Sequence, residues 1–143
     1  PFIEREYPVA RGASNTAFGG SSYGAVAALF TAMKNPGRFG RLLLESPSLY
    51  VGGGALLRQA RRVRRWPQRV YLGVGTAETR RDDWNRETVL NVRRLETILR
   101  KSGLGARRLR MTVEAGAAHS EAAWAGRFPQ ALEFLFGVAT PSS

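Results

Sequence analysis

The chain has 143 residues, with 22 Lys plus Arg, 11 Asp plus Glu, one His and no Cys. That length suits one domain rather than two, and the missing cysteines exclude a disulfide scaffold, a thiolate metal site and a cysteine nucleophile. The formal charge of +11 admits nucleic acid, an anionic surface or an anionic substrate as partner without choosing among them.

Residues 1–138 read as one domain and 139–143 as a short frayed end. No segment approaches the ~20 continuous apolar residues of a membrane helix. The start, Pro1 to Tyr7, lacks the basic head and apolar run of a signal peptide. A cytoplasmic protein is therefore expected. Asn15 to Gly20 is a short strand-like run. Tyr23 to Lys34 is Ala-rich and helical, and stops at Asn35-Pro36-Gly37. Arg41 to Glu45 carries three leucines in a row, as a strand buried on both faces would. Gly54 to Arg65 reads as a very basic helix, and Arg69 to Gly75 as a second buried strand. Arg86 to Lys101 is an amphipathic helix with Val89, Val92, Leu95, Ile98 and Leu99 on one face. Arg108 to Glu114 alternates as a strand. Glu121 to Phe136 is a last helix, with Phe128, Leu132, Leu135 and Phe136 expected inward. Alternating strands and helices predict an α/β fold with a parallel sheet of about four strands covered by helices. Ligands of such sheets bind at the carboxyl ends of the strands.

The chemistry is sought there. Gly20-Ser21-Ser22-Tyr23-Gly24 fits G-x-S-x-G, a sharp strand-to-helix turn that presents a serine hydroxyl. Small residues on either side avoid a clash at the strained turn. The N–H of Tyr23 faces the same space and can donate to an oxyanion. The competing reading of Ser22 is a helix cap. A serine nucleophile needs a base. The single imidazole, His119, follows the fourth strand run. An acid usually orients that base. Glu78 is the first acid beyond the third strand run, with Asp82 and Asp83 close behind. Asp82 and Asp83 could equally cap the next helix or pair with Arg80 and Arg81. The chain order Ser, acid, His is that of α/β-hydrolases. Tyr50, Trp84 and Trp124 are candidate substrate-binding residues. No metal or cofactor is implied.

Ala17-Phe18-Gly19-Gly20-Ser21-Ser22-Tyr23-Gly24-Ala25 resembles the putative-esterase family of α/β-hydrolases. So do Asn35 to Gly40, Glu45-Ser46-Pro47-Ser48-Leu49-Tyr50, Gly75-Thr76-Ala77-Glu78, and His119 to Trp124 followed by Pro129, Leu132, Phe134 and Phe136. That family includes esterase D, feruloyl esterases and enterochelin-type siderophore esterases. The resemblance implies a three-layer fold and hydrolysis of small carboxylic esters through an acyl-enzyme. It implies Ser22 as nucleophile, His119 as base and Glu78 as acid. Members are longer, and the part matching their first half is absent. That part carries the opening strands and the loop with the second oxyanion-hole donor. One edge of the nucleophile strand is then expected to lie open, to be covered by a missing segment or by a second copy. A weakly active or non-catalytic assembly module is the alternative.

Six of the twelve residues from Arg58 to Arg69 are Arg. The arginines also spread along the chain without aromatic interleaving, which makes nucleic acid a weak candidate. The Arg58–Arg65 segment could instead hold an anionic acyl group.

Overall fold

The structure, a computed structural model, describes residues 2–137. The tail 139–143, expected to fray, lies outside the described residues. Four strands form one parallel sheet in the order β1-β2-β3-β4. They are β1 (Ala17–Ser21), β2 (Arg41–Glu45), β3 (Arg69–Ala77) and β4 (Leu109–Ala118). The helices are α1 (Phe2–Glu6), α2 (Tyr23–Lys34), α3 (Val51–Ala60), α4 (Asp82–Lys101) and α5 (Glu121–Phe136). Strand order follows chain order, so successive right-handed crossovers put α2, α3 and α4 on one face. Helix α5 returns across the other.

The strands show why two faces exist. Leu42 and Leu44 of β2, with Val70, Leu72 and Val74 of β3, pack against Ala25, Ala28 and Leu29 of α2 and Val92, Leu95 and Leu99 of α4. The alternate residues Leu43 and Tyr71 face α5, where they meet Ala131, Phe134 and Leu135. The triple leucine is thus shared between two unequal cores, as the period of two requires.

Two expectations are corrected. The inward stripe of α5 is Arg127, Ala131 and Leu135; of the four residues expected inward Leu135 is buried, while Phe128, Leu132 and Phe136 stay exposed at 45%, 39% and 46%. The two stripes have the same spacing and differ by one residue around the helix. Ion pairs of Arg127 to the sheet select the less apolar one. The second correction concerns the basic helix. Regular α geometry starts at Ala55, because Gly52, Gly53 and Gly54 all take positive φ. It ends at Ala60, not Arg65. Trp66 is buried just before Pro67, and a residue before proline is pushed out of helical geometry.

That shorter helix moves the arginines. Arg61 lies beside Arg94, Thr97 and Lys101 near the end of α4, and Arg62, Arg64 and Arg65 lie beside Met33 and Lys34 at the end of α2. Both helices run back from the carboxyl ends of the strands, so these side chains sit at the opposite end of the sheet. An anionic acyl group at the active edge would therefore not meet these four arginines. Arg58 stays near that edge, donating to the Gly53 carbonyl at 2.5 Å.

Candidate active site

Strand β1 ends at Ser21 and α2 begins at Tyr23, so Ser22 alone makes the turn. Its backbone takes φ 55°, ψ −122°. A side chain held there stores strain of about 1–3 kcal/mol. The Ser22 N–H donates to the Glu45 carbonyl at 2.9 Å, and the Ser22 carbonyl accepts from Val26 N–H at 3.3 Å. These bonds lock the turn from both sides. Ser22 occupies the N-cap position of α2, yet its hydroxyl makes no cap bond. The hydroxyl lies 2.8 Å from His119 Nε2 instead.

The two glycines of the motif differ. A Cβ on Gly20 would stand 2.6 Å from the Gly24 carbonyl carbon, whereas a Cβ on Gly24 meets nothing within 4 Å. The steric demand is therefore one-sided. Gly20→Ala should destabilise the fold, by about 1–3 kcal/mol if the turn must shift. Gly24→Ala should stabilise it by about 0.5–1 kcal/mol, since it replaces a glycine inside a helix. Chemical denaturation of the two variants checks both signs.

His119 sits between β4 and α5. Ser120 caps α5 by accepting the Ala123 N–H at 3.3 Å, which fixes the residue before it. His119 Nδ1 lies 2.5 Å from Glu78 Oε2. Glu78 follows β3 directly and its side chain is almost wholly buried. Its other oxygen, Oε1, accepts from the Gly75 N–H at 2.6 Å and the Ser46 hydroxyl at 2.7 Å. Hydrogen bonds to both oxygens are what a buried carboxylate requires. The other two acids stand elsewhere. Asp82 and Asp83 open α4, and Asp83 pairs with Arg81 at 2.6 Å on the surface. The Arg81 hydrogen bond holds the Asp83 carboxyl below its usual value.

Four further residues complete the neighbourhood. Trp124 stands edge-on to His119 with ring centroids 5.0 Å apart, and its indole N–H donates to Ser46 Oγ at 3.0 Å. Ser48 Oγ lies 3.4 Å from Ser22 Oγ. Asn85 is buried, and its side chain accepts the Thr79 N–H at 2.7 Å and donates to the Thr79 carbonyl at 3.2 Å, holding the loop after Glu78. Ser46, Ser48 and Asn85 went unnoticed as contributors in the sequence. Only the position of Ser46 and Ser48 just past a strand could have flagged them.

The predicted aromatic residues split into two groups. Trp124 lies with the imidazole. Tyr50 and Trp84 meet edge-on at 5.8 Å, and the neighbouring Tyr50 phenol holds the Tyr23 phenol above its ordinary pKa. The guanidinium of Arg81 stacks 5.6 Å over Trp84. The cleft beside Trp84 is lined by Tyr50, Asp83, Glu87, Thr88 and Asn91, not by Ser22 or His119. Among the described residues, no group of three or more His, Asp or Glu could hold a metal ion. No helix of the described residues is long and apolar enough to cross a membrane.

A parallel sheet whose first strand turns into a helix at a strained serine, with an acid and a histidine after later strands, defines an α/β-hydrolase-like fold. The sequence matches the family model described as Putative esterase over residues 1–135, and the chain belongs to that family. It is 25% identical over 138 residues to Uncharacterized protein YbbA of Bacillus subtilis strain 168, covering 96% of this chain and 55% of that one. The chain thus spans about half the length of this curated relative. Among solved structures, the enterobactin esterase FES from Shigella flexneri superposes with a TM-score of 0.76 at 22% identity, over 95% of this chain and 35% of that chain. The siderophore hydrolase EstB from Aspergillus nidulans gives 0.69 at 20% identity, over 88% and 50%. The BES protein from Bacillus cereus gives 0.70 at 18% identity, over 94% and 49%. These likenesses establish the shared fold.

Proposed function

We propose that this chain hydrolyses small carboxylic esters through an acyl-enzyme. The observation that carries the reading is one unbroken relay: Ser22 Oγ to His119 Nε2 at 2.8 Å, and His119 Nδ1 to Glu78 Oε2 at 2.5 Å. Three residues from three separate strand ends meet in that order. Family membership supports the same chemistry.

In this mechanism His119 Nε2 takes the Ser22 proton as Oγ bonds to the ester carbonyl carbon. Glu78 holds the Nδ1–H and stabilises the imidazolium that forms. Negative charge gathers on the former carbonyl oxygen. Tyr23 opens α2, so its N–H is a first-turn donor that no carbonyl of the helix can take, and it serves that oxygen. The tetrahedral intermediate collapses, the C–O bond breaks and His119 protonates the leaving alcohol. Water then attacks the acyl carbon while His119 accepts its proton, and Ser22 is released. A second oxyanion donor on another segment would add about a hundredfold or more. Tyr50 and Trp84, which meet edge-on, are assigned to substrate binding, and so is the ring of Trp124 beside the imidazole.

Turnover of p-nitrophenyl acetate and butyrate tests the reading. Glu78→Gln should lower kcat by about 10³–10⁴-fold, because the amide can favour the wrong imidazole tautomer. Wild-type turnover no faster than buffer would sink it. Replacing the acetyl group by an anionic acyl group should bring no gain, given where Arg61, Arg62, Arg64 and Arg65 lie.

Association across β1 is the second part of the proposal. Among the described residues β1 pairs with β2 alone, and Phe18 is 37% exposed, stacked on Phe39 at 5.0 Å. An open, apolar strand edge invites another strand. We assign that edge to a further segment of a longer protein or to a second copy. Sedimentation of the purified chain separates these, since only the second gives a dimer.

A further inference from the structure

Ser46 takes φ 42° although it is not glycine. It is 1% exposed and precedes Pro47 in the loop after β2. A strained, buried serine needs a reason to persist. Its hydroxyl has two partners and spends its hydrogen on only one. It donates to Glu78 Oε1 at 2.7 Å and accepts the Trp124 indole N–H at 3.0 Å. Trp124 in turn packs edge-on against His119, and His119 Nδ1 meets Glu78 Oε2. The contacts close a ring through Glu78, Ser46, Trp124 and His119.

We infer that Ser46 and Trp124 are positioning residues that set the carboxylate and the imidazole in one mutual geometry. This rests on the catalytic reading of Ser22, His119 and Glu78. The ring has a mechanical consequence. Glu78 Oε1 is anchored to Ser46, so the carboxylate cannot rotate without breaking that bond. The imidazole cannot tilt toward α5 without meeting an indole that the same hydroxyl holds. The Ser46 hydroxyl and the Trp124 N–H, spent on each other, do not touch a bound ester in this scheme, and Trp124→Phe keeps the ring assigned to the substrate. Both act by keeping His119 Nε2 within reach of Ser22 Oγ, and small misplacements there cost rate rather than binding.

Three variants separate positioning from simple support. Trp124→Phe keeps an aromatic ring beside His119 and removes only the N–H. Ser46→Ala removes the hydroxyl and keeps the strain. Ser46→Gly removes the hydroxyl and relieves the strain. With p-nitrophenyl butyrate each should lower kcat about ten- to a hundredfold with KM within about twofold. The Ser46→Ala and Trp124→Phe double variant should be no worse than the poorer single, since both cut one chain. Ser46→Gly should melt above Ser46→Ala and still keep the kcat defect. The low-field proton NMR line of the His119–Glu78 hydrogen bond should shift or broaden in all three.

Recovery of wild-type kcat by Ser46→Gly would mean that the loop matters and the hydroxyl does not, which overturns the inference. So would an unmoved NMR line in both Ser46→Ala and Trp124→Phe. Ser22→Ala runs beside them. If Ser22→Ala keeps the rate, the catalytic reading itself fails. If it loses the rate while Trp124→Phe and Ser46→Ala keep theirs, only the positioning role fails. The NMR line needs no turnover and decides the matter in a chain of low activity.

Discussion

Ser22→Ala is expected to lower kcat for p-nitrophenyl acetate by about 10⁴–10⁶-fold, with KM changed little. In the proposed mechanism the Ser22 hydroxyl forms the new bond, so no neighbour can substitute for it. Ser48 Oγ, in the loop after β2, lies 3.4 Å from Ser22 Oγ, whereas His119 Nε2 has its hydrogen bond with Ser22. The backbone makes a companion prediction. Ser22→Gly loses the same rate but relieves φ 55°, and should unfold at higher denaturant than Ser22→Ala. A gain in stability at the site of lost activity marks strain held for function. Ser22→Ala activity within tenfold of wild type would place the chemistry on another residue.

Arg127→Ala is expected to destabilise the fold by about 3–5 kcal/mol, a large part of the 5–15 kcal/mol typical of a domain. Arg127 is 2% exposed and lies between two acids. Its Nε donates to Glu45 Oε2 at 2.9 Å and its Nη1 to Glu114 Oε2 at 2.6 Å. Burial works against the guanidinium charge, but the two carboxylates outweigh it and its pKa rises. Glu114 is half exposed and would turn to water in the variant. Glu45 is buried and would be left without its cation.

That asymmetry sets a pH signature. Burial already pushes the Glu45 carboxyl above its ordinary value of 4.5, and Arg127 pulls it back in part. Without Arg127 the upward shift grows. An acid raised in the folded state gives stability that is fully present below the unfolded pKa and is lost as pH rises through the folded one. The deficit of Arg127→Ala relative to wild type should therefore widen from pH 4 to pH 8. Adding Glu45→Gln should recover part of it at pH 8. Melting of the three proteins across that range checks the sign, and a deficit independent of pH would remove Glu45 from the account.

These two residues also mark how far the sequence could be read. The strand–helix alternation, the serine turn and the lone histidine are local signals. Each strand and helix is recognisable within a window of about ten residues, and G-x-S-x-G announces a turn by its own glycines. His119 needed no pattern, being the single imidazole of the chain. Glu78 was harder, because three acids stand close together after β3. What distinguishes it is bonding to Gly75, Ser46 and His119, and two of these partners are distant in sequence. The phase of α5 was misread for the same reason. Hydropathy favours the stripe through Phe128, Leu132 and Phe136, and nothing near Arg127 reveals that Glu45, 82 residues earlier, awaits it across the sheet. Ser46 was hidden still more deeply, since its inferred role rests on a strained φ and on hydrogen bonds with Glu78 and Trp124, 32 and 78 residues further along the chain. Periodicity reports which face is apolar. It does not report which buried charges or hydroxyls will find partners.

One measurement bears most directly on the central claim. The chain is incubated with a fluorophosphonate, which captures only a serine activated by a neighbouring base, and the adduct is mapped by peptide mass spectrometry. The account predicts one adduct, on the peptide carrying Ser22, absent in Ser22→Ala and strongly slowed in a His119→Ala variant. An unlabelled Ser22, or labelling as fast without His119 as with it, would contradict it.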